Sequence, residues 1–284
     1  MDDKTEDQST SPREPWAVLA EQWSHLGSPL RPVAEDMRRL QTAWRDSLSE
    51  GVPARRLDIL LLGVTPEIAR FSWAADFHLT ALDASAMMIR AVWPGDAPGR
   101  QAVLGDWLKM PFAAASFDLV LCDCGLVVAA DTTLFAPLGK ELQRVLRPGG
   151  RVAMRHFSRP PQLESTAAIV QAVEAGSLRD FNELKLRLLM ALHGDRPDLG
   201  VGLSDALASF ERLFPDREAL AAKLGCPLPI IATIDAYRRR DARYTFPTVA
   251  EVAAAFTGFS LKLGPAGHYA FADRCPVFVL TPTP

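Results

Sequence analysis

The sequence predicts a doubly wound α/β fold, in which helices cover both faces of a mostly parallel sheet. Two observations predict it. Short apolar runs alternate with helical patterns between residues 57 and 157, and the same alternation resumes at Thr248 after a helical stretch. The chain has 284 residues, of which 48% are hydrophobic, so it is long and apolar enough to bury a substantial core.

The region before the first strand is predicted to consist of a tail and a helical segment. Residues 1–14 are polar and acid-rich, which predicts a disordered tail. Residues 15–50 carry two helical patterns, the first through Trp16 and Trp23 and the second through Trp44. Packing in the core is the favoured interpretation of these tryptophans, and an aromatic lid over a ligand is the alternative.

Five apolar runs are predicted to be parallel strands, because each is too short for a helix and ends abruptly. They are LDILLLG (57–63), HLTALDAS (78–85), RQAVLGD (100–106), SFDLVLCDC (116–124) and RVAMRHF (151–157). A helix between the fourth and fifth runs stops at RPGG. Two further strands, at 260–264 and 275–282, bring the predicted count to seven.

The α/β core is predicted to comprise residues 51–157 and 247–284, interrupted by a helical insert at 158–246. A capping box, T-x-x-E, at Thr248 and Glu251 begins the helix at which the core resumes. The insert leaves the sheet after the fifth strand, at the carboxyl edge where open α/β sheets bind ligands. We therefore expect the insert to cap a substrate.

The ends of the first three strands predict an adenosine site. The first strand ends at Gly63, and the second ends at Asp83, about 20 residues on, where a carboxylate accepts hydrogen bonds from ribose hydroxyls. The third ends at Asp106 and Trp107, which offer an acceptor for the adenine amine and an aromatic wall. Each aspartate alone could be a turn residue, but the three strand ends together favour adenosine.

The first strand–helix turn is unlike a phosphate-binding loop. LLLGVTPE keeps Gly63 alone, whereas a dinucleotide fingerprint needs G-x-G-x-x-G, and no G-x-x-x-x-G-K-[ST] loop occurs in the chain. Thr65 suits a helix N-cap, Pro66 the first helical position, and Glu67 the positive end of the helix dipole. The turn therefore predicts a conventional helix start, and a ligand that is not held by phosphates.

From about residue 57 to its C-terminus, the chain resembles the class I S-adenosylmethionine-dependent methyltransferases. TALDASAMMI resembles the motif that holds the ribose, which would assign Asp83 and Ala84 to the cofactor. LGDWLKMPFAAASFDLVLC resembles the segment in which Asp106 would hold the adenine, and ELQRVLRPGGRVAM is the most specific match. The resemblance implies a Rossmann-like sheet of seven strands, with the last strand antiparallel beside the fifth, and S-adenosyl-L-methionine as cofactor.

The first motif departs from the family pattern D-x-G-x-G-x-G. Thr65 and Glu67 lie where the family's loop approaches the methionine part of the cofactor, and Glu67 is expected to compete with the cofactor's carboxylate for the helix N-terminus.

The sequence supports two hypotheses about function. The first hypothesis is a methyltransferase acting on a small molecule. The alternative is a non-catalytic binding or partner protein of the same fold, whose cofactor site is eroded.

Residues at the ends of the fourth and fifth strands are candidates for the chemistry. His156 is the predicted catalytic base, because an oxygen nucleophile can need one; the alternative is a hydrogen-bonded structural histidine. Cys122 and Asp123 lie near the expected methyl donor, where Asp123 could orient an amine or cap a loop. CDCG differs from the Asn/Asp-Pro-Pro-Tyr/Phe motif of methyltransferases that act on nucleobases.

Composition argues against several other partners. The net charge of −3 offers no electrostatic footprint for nucleic acid or an anionic membrane. No apolar stretch is long enough to span a bilayer, and the N-terminus does not resemble a signal peptide, so a cytoplasmic protein is expected. The four cysteines lack metal-ligand spacing, so no metal site is predicted.

Overall fold

The structure is a computed structural model, which describes residues 20–49, 51–73, 76–129, 131–195, 200–238 and 241–283. The predicted disordered tail at 1–14, and Trp16 of the first predicted helix, lie outside the described residues.

A seven-stranded sheet forms the centre of the fold. Its strands are β1 (Leu57–Leu62), β2 (Phe77–Asp83), β3 (Arg100–Leu104), β4 (Phe117–Asp123), β5 (Leu146–Arg155), β8 (Phe259–Leu263) and β9 (Val277–Pro282). Their spatial order is β3-β2-β1-β4-β5-β9-β8, and β9 runs antiparallel to both of its neighbours. This confirms the predicted seven-stranded sheet with an antiparallel last strand beside the fifth. The strand order switches direction between β1 and β4, which is where such sheets open a ligand crevice.

Helices cover both faces of the sheet and the carboxyl edge of its strands. In the described residues they are α1 (Ala34–Arg45), α2 (Pro66–Arg70), α3 (Ala86–Val92), α4 (Phe135–Val145), α5 (Thr166–Glu174), α6 (Phe181–His193), α7 (Leu203–Leu213), α8 (Arg217–Leu224), α9 (Leu228–Ala232) and α10 (Val249–Ala255). A short antiparallel ribbon joins β6 (Val201–Gly202) to β7 (Arg243–Tyr244). A 3-10 turn, Thr233–Tyr237, follows α9.

Two apolar layers enclose the sheet, and β1 contributes to both. Leu57, Ile59 and Leu61 point into one layer, whereas Leu60 and Leu62 point into the other. Successive side chains of a strand face opposite sides, so a strand covered on both faces is apolar at nearly every position. This explains why β1 is apolar at every position except Asp58.

A third apolar cluster lies inside the helical insert. Leu184 and Leu188 on α6 pack against Phe210 on α7, and all three side chains are buried. Cys124 and Val127, which follow β4, belong to the same cluster. Residues of α6 and α7 and the residues that follow β4 thus share one apolar cluster at the carboxyl edge of the sheet.

Three local features test the predicted element boundaries. The capping box is confirmed, since Thr248 Oγ1 accepts the Glu251 N–H at 3.3 Å and Glu251 Oε2 accepts the Thr248 N–H at 2.7 Å. Helix α2 begins at Pro66, as the helix-start pattern predicts, and ends at Arg70. RPGG lies at the start of β5, where the register against β4 shifts, rather than in a separate loop.

No single helix in the described residues is long and apolar enough to cross a bilayer. Two consecutive helical segments, Arg217–Leu224 and Leu228–Tyr237, reach the length and apolar composition of a membrane span only when they are taken together, and they are bent by 116° relative to each other.

Candidate functional site

A cavity of about 380 Å³ lies at the carboxyl ends of β1, β2 and β4, within the size range of small-molecule sites. Seven predicted site residues line it, namely Gly63, Thr65, Asp83, Ala84, Asp106, Trp107 and Asp123. The segment before α1 contributes Trp23, Leu26 and Leu30, and the insert contributes Lys185, Leu186, Leu189, Thr233, Tyr237 and Tyr244. Three separate parts of the chain therefore enclose one space.

Asp83 stands at the end of β2, beside the first turn. Its Oδ1 accepts the Ser85 N–H at 2.8 Å, and Ser85 in turn caps α3 by accepting the Met88 N–H at 3.1 Å. The other carboxylate oxygen lies 4.0 Å from the point that a Cβ on Gly63 would occupy. The carboxylate is thus fixed at the crevice between the strand ends.

Trp107 forms a wall of the cavity, and Gly125 makes room for it. The indole Nε1 donates to the Leu82 carbonyl at 2.8 Å. A Cβ on Gly125 would lie 2.8 Å from the indole and 2.7 Å from Cys122 Sγ, both closer than real Cβ contacts. A Cβ on Gly63 would lie 3.9 Å from the same indole. Gly125, which follows β4, is therefore required by the indole position.

Asp123 lines the cavity, but its carboxylate is held by Arg155. The Arg155 Nε and Nη2 atoms donate to Asp123 at 2.5 and 3.3 Å, and Arg155 Nη1 donates to the Pro29 carbonyl at 3.0 Å. A second carboxylate, that of Asp36, lies 3.4 Å from Nη1. Burial would lower the pKa of Arg155, but the charge of Asp123 opposes it, and the pKa is raised well above its usual value. Asp123 thus acts as an anchor for a buried arginine.

The structure corrects the predictions for His156 and Cys122, since neither lines the cavity. His156 is fully buried, its Nε2 donates to the Pro247 carbonyl at 2.7 Å, and burial lowers its pKa to about 4. It matches the structural alternative rather than a catalytic base. Cys122 packs in the core, where burial raises the pKa of its thiol to about 12. Cys124 lies just after β4, with a φ of 54°, and reaches the cavity.

Comparison with known proteins places this geometry in a family. The family described as "Methyltransferase domain" matches residues 62–154. A demethylmenaquinone methyltransferase from Mycolicibacterium vanbaalenii is 33% identical over 187 residues, covering 64% of this chain and 72% of that protein. The chain belongs to the class I S-adenosylmethionine-dependent methyltransferases.

Other members of the family match over shorter shares of their length. A demethylmenaquinone methyltransferase from Corynebacterium urealyticum is 30% identical over 150 residues, and the chain spans 56% of that protein. The ubiquinone/menaquinone biosynthesis C-methyltransferase UbiE from Roseobacter denitrificans is 30% identical, and the chain spans 67% of it. The chain thus spans from about half to about 70% of the length of such curated relatives.

Solved structures share the fold at low sequence identity. The DhpI–SAM–HEP complex has a TM-score of 0.50 at 15% identity, covering 94% of each chain. The Haloferax volcanii complex that contains the Trm112 methyltransferase activator has a TM-score of 0.51 at 13% identity, covering 96% of this chain and 99% of that one. These matches show the methyltransferase-type architecture.

The first turn, at residues 63–67, departs from the family's glycine pattern but keeps the predicted helix start. Thr65 holds the N-cap position of α2 and Pro66 the first turn, as predicted, but the Thr65 side chain accepts no hydrogen bond from the helix. Glu67 Oε1 accepts the Arg31 Nε–H at 2.7 Å, so the Glu67 charge is paired. Glu67 Oε2 and Trp23 Nε1 are buried, and neither has a partner among the described residues. Trp23 lines the cavity and Glu67 does not, so the unpaired Trp23 Nε1 is the group at this end that suits the carboxylate of an amino acid.

Several residues that line the cavity were not predicted as site residues from the sequence. Trp23 lines it, as the lid alternative proposed, whereas Trp44 is buried in the core. Lys185 on α6 was not predicted as a site residue, although a lysine within the apolar stretch LKLRLLM indicates a buried amino group. Its Nζ donates to Thr233 Oγ1 at 2.7 Å and lies 5.2 Å from the Phe181 ring centroid. Burial lowers the pKa of Lys185 to about 7.

Proposed function

We propose that this protein transfers a methyl group from S-adenosyl-L-methionine to a small, largely apolar acceptor. One observation carries the proposal. A single cavity combines the Asp83 carboxylate and the Trp107 indole at the sheet edge with an apolar wall, including Leu186 and Leu189, supplied by the insert. The sheet side suits an adenosine, and the insert side suits an apolar ring.

The cofactor would be held by residues at the strand ends. Asp83 would accept hydrogen bonds from the ribose hydroxyls, and Asp106 would accept one from the adenine amine, with Trp107 as the wall. Trp23 Nε1 would donate to the carboxylate of the methionine end. When bound, the cofactor supplies an electrophilic methyl group. The protein would contribute alignment, which is the main requirement of methyl transfer.

The helical insert, residues 158–246, would serve as the substrate cap of the α/β core formed by 51–157 and 247–284. Its supporting feature is the continuous apolar cluster that joins α6 and α7 to Cys124 and Val127 at the sheet edge. Such a cap excludes water from the reacting groups and strengthens the electrostatic interactions inside.

The acceptor we propose is an aromatic, quinone-like ring. Several relatives are named demethylmenaquinone methyltransferases, and one is named a C-methyltransferase of ubiquinone and menaquinone biosynthesis. The apolar wall of the cavity agrees with a ring of that kind.

Calorimetric titration with S-adenosylmethionine and S-adenosylhomocysteine tests the proposal against the alternative of a non-catalytic protein. We expect binding of both ligands, weakened by Asp83→Ala and unchanged by Asp273→Ala, whose carboxylate is exposed and outside the cavity. Absence of binding at millimolar concentration would contradict a cofactor site. Tight binding that arises in a Thr65→Gly, Glu67→Gly variant and is absent in the parent would favour an eroded, non-catalytic site.

A further inference from the structure

Lys185 brings an amino group into the otherwise apolar side of the cavity. The residue lies on α6 within the insert, is 3% exposed, and lines the cavity. Its neighbours Leu184 and Leu186 are both buried. In the part of the chain that the structure describes, no carboxylate forms an ion pair with it. Lysines are almost never fully buried without a partner, so this position calls for a functional reason.

The hydrogen bond that the Lys185 amino group forms with the described residues does not use all of its donors. Thr233 Oγ1 donates its own proton to the Ile230 carbonyl at 2.7 Å, so it can only accept from Lys185 Nζ. A neutral amine has two N–H donors and one lone pair, and an ammonium has three donors. The bond to Thr233 therefore fixes the direction of the side chain and leaves one donor and the lone pair of the amine, or two donors of the ammonium, for a ligand.

Lys185 is poised to exchange a proton near neutral pH. Burial lowers its pKa to about 7, and Asp180, just before α6, acts more weakly in the opposite direction. A base with a pKa near the working pH is the most effective proton acceptor. The other titratable side chains that line the cavity are Asp83, Asp106, Asp123, Cys124, Tyr237 and Tyr244.

We propose that Lys185 removes the proton of an acidic hydroxyl on the acceptor and then holds the resulting oxyanion, so that the acceptors are phenols, hydroquinones or enols. This inference rests on the proposed function. The O–H bond of the acceptor breaks and its electron pair stays on oxygen, while the lone pair of the Lys185 amine forms a new N–H bond. An ammonium–oxyanion pair remains, and no other reactant is required.

The proton transfer would activate the acceptor for methylation. Negative charge on the oxygen is shared with the ring carbons ortho and para to it, so either the oxygen or a ring carbon becomes the stronger nucleophile. The low polarity of the surrounding wall strengthens the ammonium–oxyanion attraction. A carboxylate acceptor would bring no removable proton at neutral pH, so it would leave the proton-accepting capacity of Lys185 unused.

Binding of 4-nitrophenol tests the proposal without catalysis, because its phenolate absorbs visible light and its neutral form does not. The probe is mixed with excess protein at a pH one unit below the probe's own pKa. We expect the wild-type protein to produce the phenolate band, and Lys185→Met to weaken phenolate binding by about tenfold or more, as the loss of a charged partner implies. Lys185→Gln serves as a second variant if Lys185→Met does not fold.

The matched control is Lys223→Met, which removes an exposed lysine of the same insert that pairs with Glu174. It should give the wild-type band. Absence of the band with the wild-type protein, or an equal band with both Lys185 variants, would overturn the proposal.

S-adenosylhomocysteine titration distinguishes a failure of the Lys185 proposal from a failure of the proposed methyltransferase function. If that ligand binds and the band is absent, the role of Lys185 alone fails, whereas loss of ligand binding in the parent contradicts the proposed function.

Discussion

Replacing Asp123 by asparagine should destabilise the protein strongly, because it leaves a buried guanidinium without its main counter-charge. The side chains of Arg155 and Asp123 are 0% and 5% exposed, and two hydrogen bonds join them. An asparagine side chain has nearly the same size and can still accept one bond, so the change removes charge more than shape. Asp36 is the nearest other carboxylate, at 3.4 Å from Arg155 Nη1, and it also pairs with Arg39.

The expected loss follows from the burial of the pair. Removing one partner of a buried ion pair costs about 3–5 kcal/mol, since the remaining charge stays desolvated. The amide acceptor and the partial compensation by Asp36 place Asp123→Asn at the lower end of that range, about 3 kcal/mol. Because Arg155 also donates to the Pro29 carbonyl, the segment that carries Trp23 should loosen as well.

Urea unfolding at neutral pH measures this cost, with Glu174→Gln as the matched control. Glu174 belongs to an exposed pair with Lys223, and pairs of that kind contribute about 0.2–1 kcal/mol. The reasoning is refuted if Asp123→Asn costs no more than the control. Loosening of the segment that carries Trp23 is measured by comparing the emission change of Asp123→Asn with that of the same variant in a Trp23→Phe background.

Three further predictions concern the cavity and its surroundings. Asp83→Ala should weaken S-adenosylhomocysteine binding more than Asp106→Ala does, because two hydrogen bonds to a carboxylate at about 1.5–3 kcal/mol each exceed one; calorimetry on variants with unchanged melting temperatures checks the order. Gly125→Ala should displace the Trp107 indole, since the new Cβ would lie 2.8 Å from it; a changed tryptophan emission spectrum is expected, and an unchanged one contradicts the geometry. His156 has a folded pKa of about 4 against 6.5 for the free side chain, so the unfolded chain takes up a proton between these values that the folded protein does not. Stability should therefore fall as the pH falls from 6.5 to 4, and His156→Gln should lack that part of the dependence in urea titrations at pH 7 and pH 5.

The sheet could be predicted because each strand leaves a short apolar pattern in the local sequence. A parallel strand buried on both faces is a short continuous apolar run, and β1 and β4 are such runs. The ends of strands lie at one edge of the sheet, so the grouping of Asp83 and Asp106 in one cavity followed from their positions in the sequence.

The errors arise where side-chain direction or distant contacts decide. β5 ends at Arg155, so His156 leaves the strand and turns toward Phe278 and the Pro247 carbonyl. The requirement for glycine at position 125 depends on the Trp107 indole, which no local pattern reveals. Lys185 lies in an apolar stretch of the sequence, but only the fold shows that α6 brings it to the cavity.

The first turn is more compatible with binding of the family's cofactor than its sequence suggests. Loss of two glycines predicts crowding by Thr65 and repulsion by Glu67, but the turn keeps Gly63, with a φ of 90°, at the place where the strand ends. The Arg31 guanidinium pairs with Glu67, so a bound carboxylate would meet a neutral pair instead of an isolated negative charge. Arg31 also lies 5.4 Å from the centroid of the Trp23 ring, which lines the cavity. The segment before α1 thus supplies the counter-charge of Glu67 in the first turn and, through Trp23, part of the cavity wall.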